Sequence, residues 1–132
     1  MSRTASPLRY PGGKACLYDL AIQFLKANNL NERSYVEPYS GGCGLALSLL
    51  FGGHVTQLHL NDLDRSIWAF WKTVLDYNDE LIELIESTEV TIDEWERQRA
   101  VQFKKADAEI VELGFSTFFL NRTNRTGIIH RG

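Results

Sequence analysis

The sequence of 132 residues contains few cysteines and prolines and no long apolar run. Its two cysteines, Cys16 and Cys43, are far apart and fit no zinc spacing, which predicts free, partly buried thiols. No apolar stretch approaches the roughly 20 residues of a membrane-spanning helix, and the N-terminus lacks the apolar core of a secretory signal. The sequence therefore predicts a cytoplasmic protein without a membrane span.

Residue types that carry chemistry are also scarce. The three histidines, His54, His59 and His130, follow no recognisable metal-ligand spacing, so no metal site is predicted. No Ser/His/Asp or Cys/His set supplies a nucleophile, and no catalytic residue is predicted.

The charge is modest in sum but uneven along the chain. A net charge of −3 argues against indiscriminate nucleic-acid binding, and acidic residues crowd residues 76–112. Basic residues gather near the two ends: Arg3, Arg9, Lys14, Arg122, Arg125 and Arg131. A fold that brings the ends together would make one basic face.

Residues 35–44 are the most informative stretch. A short strand over residues 34–37 breaks at Pro38 into a glycine turn, and an apolar helix over residues 45–51 follows. The glycines Gly41 and Gly42 let a ligand approach the backbone, and the first helical N–H groups favour an anionic group. Glu37, at the carboxyl end of the strand, can accept a hydrogen bond from the same ligand. A glycine turn alone is equally explained by steric need.

A second alternating strand, over residues 55–60, ends in two acids. An acid at the tip of the second strand holds ribose hydroxyls in nucleoside-binding folds, and Asp62 is predicted to take this role. Asp64 is predicted to cap the next helix, whose aromatic arc is expected to lie in the core.

Four motifs, in this order and spacing, resemble the Dam-type (D12 class) DNA adenine N6-methyltransferases: Pro7-Leu8-Arg9-Tyr10-Pro11-Gly12-Gly13-Lys14, Glu37-Pro38-Tyr39-Ser40-Gly41-Gly42, Asn61-Asp62-Leu63-Asp64 and Phe118-Phe119-Leu120-Asn121-Arg122-Thr123-Asn124-Arg125-Thr126-Gly127. The resemblance covers essentially all of the chain. It implies an α/β class: a partial Rossmann-like S-adenosylmethionine-dependent methyltransferase fold, followed by the start of a helical DNA-recognition region. The implied reaction moves a methyl group from S-adenosylmethionine to adenine N6 in double-stranded DNA.

The resemblance also implies two groups of site residues. It assigns the cofactor to Tyr10, Lys14, Glu37, Gly41, Gly42 and Asp62. From the residues alone, a capping loop that carries Tyr10 and a solvated Lys14 is the favoured interpretation. It assigns the start of DNA recognition to Asn121, Arg122, Asn124 and Arg125, since arginine pairs with guanine and asparagine with adenine. The alternative is a helix end with solvated arginines. Arg131 suits a phosphate contact.

The sequence departs from the family pattern in two places. Cys43 stands where many members carry glycine, and the catalytic Asp-Pro-Pro-Tyr is missing, because no two of the three prolines are adjacent. We therefore expect one truncated methyltransferase domain, inactive alone, that works with a separate C-terminal half. The alternative is a non-catalytic module that binds nucleic acid or a partner.

The expected organisation has two strands and about six helices. Residues 1–77 are predicted to form the cofactor-binding half, and residues 78–132 a helical segment leading into target recognition. The helix that begins near Thr91 carries Trp95 and Gln102 on a mostly polar face, which is expected to lie outside. Residues 115–120 fit a strand or a buried helix, and the resemblance favours helix.

Overall fold

A computed structural model describes residues 5–129 of the chain. The chain divides into two compact units, Met1–Asp62 and Leu63–Gly132, and each is described by itself. The elements of the first unit are a 3₁₀ helix (Lys14–Leu17), α1 (Tyr18–Ala27), β1 (Arg33–Glu37), α2 (Gly44–Phe51) and β2 (Val55–Leu60). Those of the second are α3 (Arg65–Asp76), α4 (Asn78–Ser87), α5 (Ile92–Phe103) and α6 (Ile110–Thr123). The described residues thus form a mixed α/β architecture, as expected, while the functional division after residue 77 stays a prediction.

The sheet of the first unit consists of β1 and β2, which run parallel. Parallel neighbours need a crossover connection, and α2 supplies it. In the register, Glu37 lies opposite Leu60, so both strands end at the same edge. Backbone bonds continue past the strands, from Asn61 N to Glu37 O (3.1 Å) and from Ser40 N to Asn61 O (2.9 Å). The two segments that follow the strands therefore start side by side.

The core of the first unit lies between the sheet and the helices. Leu45, Leu49 and Val55 are buried at its centre. Half-buried apolar side chains from α1, α2 and both strands pack around them: Tyr18, Ala21, Ile22, Leu25, Tyr35, Leu50 and Leu58. This packing fixes α2 and the turn that precedes it against the sheet.

The second unit is held by buried polar side chains as well as by apolar ones. Gln102 on α5 accepts a hydrogen bond from Ser66 Oγ (2.7 Å) and donates to Ser116 Oγ (3.0 Å) and Thr117 Oγ1 (3.2 Å). All four side chains are buried, and they join α3, α5 and α6. The expectation that this face of α5 lies outside is therefore wrong at Gln102, because hydroxyl partners on two helices replace water.

Helices α3 and α6 approach closely at Gly114. A Cβ atom added there would lie 2.2 Å from Thr73 Oγ1 and 2.9 Å from Ala69 O. The segment 115–120, ambiguous in sequence, lies within α6, and Phe115 and Phe119 are buried. The helix that the resemblance favours is confirmed.

The start of α3 also follows the sequence expectation. Asp64 is its N-cap, and Oδ1 accepts a 3.0 Å hydrogen bond from Ser66 N. Phe70 and Trp71 are buried, as expected for core aromatics, but the expectation is wrong for Trp68 on the same helix, which is 36% exposed. Within residues 5–129, no helix combines the length and apolarity needed to cross a bilayer.

Candidate functional site

The turn after β1 is the centre of the first candidate site. Gly41 (φ +47°) and Cys43 (φ +53°) have left-handed backbone conformations, and Cys43 N donates to Ser40 O across 2.8 Å. Gly41 N donates to Oδ2 of Asp62 across 2.8 Å. The acid after β2 thus binds directly to the backbone of the glycine turn.

Tyr10 lies against the two glycines. A Cβ atom added at Gly41 would meet the Tyr10 ring at 2.8 Å from Cε1, and one at Gly42 would lie 2.9 Å from Tyr10 Cβ. The turn at Pro11–Gly12, closed by a 3.2 Å bond from Gly13 N to Tyr10 O, sets the position of this tyrosine. Glycine at both positions is therefore required by the approach of Tyr10.

Glu37 places a buried carboxylate beside the turn. Its side chain is only 3% exposed, and Lys14 Nζ lies 2.7 Å from Oε1. The ammonium group, which has three N–H donors, also donates to Tyr39 O (2.5 Å). Apart from this ion pair, the carboxylate has no hydrogen-bond partner among the residues that the structure describes, and Oε2 is left without a donor there. Because buried carboxylates are rarely left without donors, this side chain has the capacity to bind a ligand that brings them.

The pKa of Cys43 reflects the charged groups that surround the glycine turn. Burial raises the pKa of its thiol to about 12, and a hydrogen bond with Ser40 opposes the rise. The charges of Glu37, Lys14 and Asp62 also act on this pKa, the carboxylates raising it and the ammonium lowering it. The thiol therefore stays protonated at neutral pH and is a poor nucleophile.

The structure thus brings all six residues predicted for the cofactor to one place. They share a position at or beside the glycine turn: Tyr10, Lys14, Glu37, Gly41, Gly42 and Asp62. The residues described by the structure contain no group of three side chains that could hold a metal ion.

The four residues predicted to start DNA recognition divide into two kinds. Arg122 and Arg125 are exposed, whereas Asn121 and Asn124 are buried. Asn121 Nδ2 donates to Gly127 O and Asn124 Nδ2 to Ile128 O, both across 2.7 Å. Arg122 lies in the last turn of α6 and Arg125 in the turn that follows, which the two asparagines hold through these bonds. Arg131 lies outside the described residues.

Trp95 is part of this second site and was not predicted from the sequence to belong to it. Its indole Nε1 donates to Asn124 Oδ1 across 2.7 Å. The two residues are 29 positions apart and belong to different helical segments, so no local pattern could have revealed the contact.

The chain matches one known protein family over most of its length. The family model of the D12 class N6 adenine-specific DNA methyltransferases matches residues 10–130. The chain therefore belongs to this family, whose general function is methylation of adenine N6 in DNA and whose members generally use S-adenosylmethionine. A search of curated proteins finds no match.

Proposed function

We propose that this chain binds S-adenosylmethionine at the glycine turn, as the first part of a Rossmann-like DNA adenine N6-methyltransferase. The observation that carries the proposal is the buried Glu37 carboxylate: Oε1 is paired with Lys14, and Oε2 has no hydrogen-bond partner among the described residues. It lies at the carboxyl edge of the sheet, where open α/β sheets bind their ligands.

The donor and acceptor set at the turn fits this cofactor. S-adenosylmethionine offers an ammonium group and ribose hydroxyls as donors, and when bound it supplies the methyl group. Glu37 and Asp62 are carboxylates with lone pairs to accept such donors. Gly41 and Gly42, which carry no Cβ atom, are buried beneath Tyr10, whose aromatic ring lies between them and solvent. Lys14 balances the charge of Glu37 from 2.7 Å.

The methyl-transfer step needs groups that these 132 residues do not contain. The adenine N6 amine must lose its stacking, at a cost of a few kcal/mol, and its hydrogens need acceptors that align it with the methyl donor. In the family, Asp-Pro-Pro-Tyr is expected to supply the acceptors and an aromatic ring, and the sequence has no adjacent prolines. We therefore propose that these 132 residues alone transfer no methyl group and that transfer requires an Asp-Pro-Pro-Tyr segment in addition to them.

Double-stranded DNA is proposed to contact the turn after α6. The exposed guanidinium groups of Arg122 and Arg125 suit phosphates or the edge of guanine. The buried Asn121 and Asn124 then serve DNA binding by holding this turn, since their amide groups donate to backbone carbonyls of the turn.

Cofactor binding can be tested by titrating the ¹⁵N-labelled chain with S-adenosylmethionine and following its amide signals by NMR. We expect the signals of Gly41, Gly42 and Asp62 to shift, with weak binding because the second half of the pocket is absent. Glu37→Gln keeps the shape of the side chain and should weaken binding further. Glu83→Gln, at an exposed position of α4, is the matched control. Unchanged signals at the turn, or equal binding by both variants, would refute the proposed site.

Methyl transfer can be tested with tritiated cofactor and adenine-containing duplexes. The chain alone should give no labelled DNA, and label should appear after addition of a polypeptide that carries the family's Asp-Pro-Pro-Tyr half. Turnover by the chain alone would show that other residues accept the N6 hydrogens. Failure of every such polypeptide to restore transfer would count against the enzymatic proposal.

A further inference from the structure

The turn after α6 depends on a side chain from α5. Trp95 donates its indole N–H to Asn124 Oδ1 across 2.7 Å, and Asn124 is buried. Because the amide oxygen accepts this bond, the amide nitrogen faces the other way and donates to Ile128 O across 2.7 Å. One indole thus fixes the orientation of the asparagine and, through it, the path of the backbone.

Other bonds close the same turn. Asn124 N donates to Leu120 O (2.8 Å) at the end of the helix, and Gly127 N donates to Asn124 O (3.1 Å). Gly127 has a left-handed conformation (φ +71°), and its carbonyl accepts from Asn121 Nδ2. Asn124 therefore links this local network to α5 through its bond with Trp95.

The direction of the indole N–H is itself constrained. The guanidinium carbon of Arg99, one helical turn further along α5, lies 4.7 Å from the centre of the Trp95 ring. A cation over an aromatic face is attracted to it, so the ring is held from its face while its edge bonds to Asn124. These two contacts together orient the indole so that its N–H points at Asn124.

We infer that Trp95 is a positioning residue for DNA binding: it fixes the Asn124 turn so that Arg122 and Arg125 are presented together. The inference rests on the proposed contact of these arginines with DNA. A turn that is already ordered loses less conformational freedom on binding, so the indole should raise affinity without touching the nucleic acid.

The test is fluorescence anisotropy of a labelled adenine-containing duplex titrated with the 132-residue chain over a range of salt concentrations. Trp95→Phe keeps an aromatic ring for Arg99 and removes the N–H donor together with part of the bicyclic ring, a loss of volume that the Trp68→Phe control shares. We expect it to weaken binding by about two- to tenfold, the size of one neutral hydrogen bond. The dependence of affinity on salt should not change, since the same phosphates are contacted.

Three further variants make the result specific. Arg122→Ala with Arg125→Ala should weaken binding and reduce the salt slope by up to about two. Trp95→Phe should have no further effect in an Asn124→Ala background if the indole acts through this asparagine. Trp68→Phe, which alters a partly exposed indole on α3, is the matched control and should bind as the wild type does. Circular dichroism establishes that each variant is folded at the temperature of the assay.

The outcomes separate the two proposals. Full affinity in the double arginine variant would refute the DNA contact and the inference with it. If the arginines matter but Trp95→Phe binds normally, or adds its full effect to that of Asn124→Ala, only the inference is overturned. Asn124→Ala removes the same hydrogen bond by changing its acceptor. The DNA affinity of this variant therefore tests the inference if Trp95→Phe does not fold.

Discussion

The backbone N–H of Gly41 donates a hydrogen bond to Oδ2 of Asp62, with 2.8 Å between nitrogen and oxygen. The two residues are 21 positions apart, and each follows one of the two parallel strands. A ligand that engages the Asp62 carboxylate therefore acts on a group that already holds the glycine turn in place. Ligand affinity and the order of the turn should change together.

Replacement of Asp62 tests this link. Asp62→Ala removes the acceptor of the Gly41 N–H and should lower the free energy of unfolding by about 1–2 kcal/mol, the range of a hydrogen bond to a charged group at a half-buried site. Asp62→Asn keeps an acceptor oxygen and should lose less. Urea denaturation measures both, and exchange of the Gly41 amide hydrogen should be faster in Asp62→Ala. Equal stability of the two variants would mean that the bond contributes little.

A double-mutant cycle separates two reasons for glycine at position 41. Gly41→Ala places a Cβ atom in a left-handed conformation, which costs about 1–2 kcal/mol, and forces it against the Tyr10 ring. In a Tyr10→Ala background the ring is absent and only the conformational cost should remain. Urea denaturation of the four proteins gives the coupling. Purely additive effects would show that the ring moves aside at no cost.

Ionisation of Cys43 should make the free energy of unfolding depend on pH in the alkaline range. Its pKa is raised from 9.0 to about 12 by burial, so the unfolded thiol ionises over this interval while the folded thiol remains protonated. This contribution to stability is complete below pH 9 and is lost as the pH rises towards 12. The stability of the wild type relative to Cys43→Ala should therefore fall as the pH rises from about 9 towards 12.

The Cys43 measurement needs a control for other groups that titrate at high pH. Cys16→Ala removes the exposed cysteine and is the matched variant. A constant difference between wild type and Cys43→Ala across this range would contradict a buried, protonated thiol.

The contact between α3 and α6 should tolerate no side chain at position 114. Gly114→Ala brings a Cβ atom to 2.2 Å from Thr73 Oγ1 and 2.9 Å from Ala69 O, and the second of these is backbone that cannot rotate away. We expect a loss of about 1–3 kcal/mol in the free energy of unfolding. Glu112→Ala, at an exposed position of the same helix, should change it by less than about 0.5 kcal/mol. A more stable Gly114→Ala protein would mean that helix propensity outweighs packing.

Much of the first site followed from the sequence because its signals are local. A strand that ends in an acid, a glycine turn and a following helix are each visible in a few residues. Parallel pairing then brings the ends of neighbouring strands to one edge, which is why Glu37 and Asp62 meet at the turn. The clustering of the six cofactor residues could be predicted on this basis, whereas the position of Tyr10 on the glycines could not, since it depends on a loop.

The second unit shows where local patterns fail. Gln102 has the polarity of a surface residue, but its partners Ser66, Ser116 and Thr117 come from other helices and make it a core residue. Asn121, at the end of α6, and Asn124, directly after it, are residue types that can bind the edges of bases. Their side-chain amides instead donate to backbone carbonyls of the same turn. The hydrogen bonds of Gln102 join distant positions, whereas those of the asparagines are local. In neither case does the polar residue type say where its partner will be.

The hydrogen-bonded cluster of Gln102, Ser66, Ser116 and Thr117 limits which substitutions these positions can accept in evolution. A lone replacement of Gln102 by an apolar residue would leave the hydroxyls of Ser66, Ser116 and Thr117 with fewer partners in a dry interior, which is costly for each of them. A lone change at any of these three positions affects the same glutamine. Related sequences should therefore either keep all four polar residues or replace all four by apolar residues. Substitutions at these four positions should occur together.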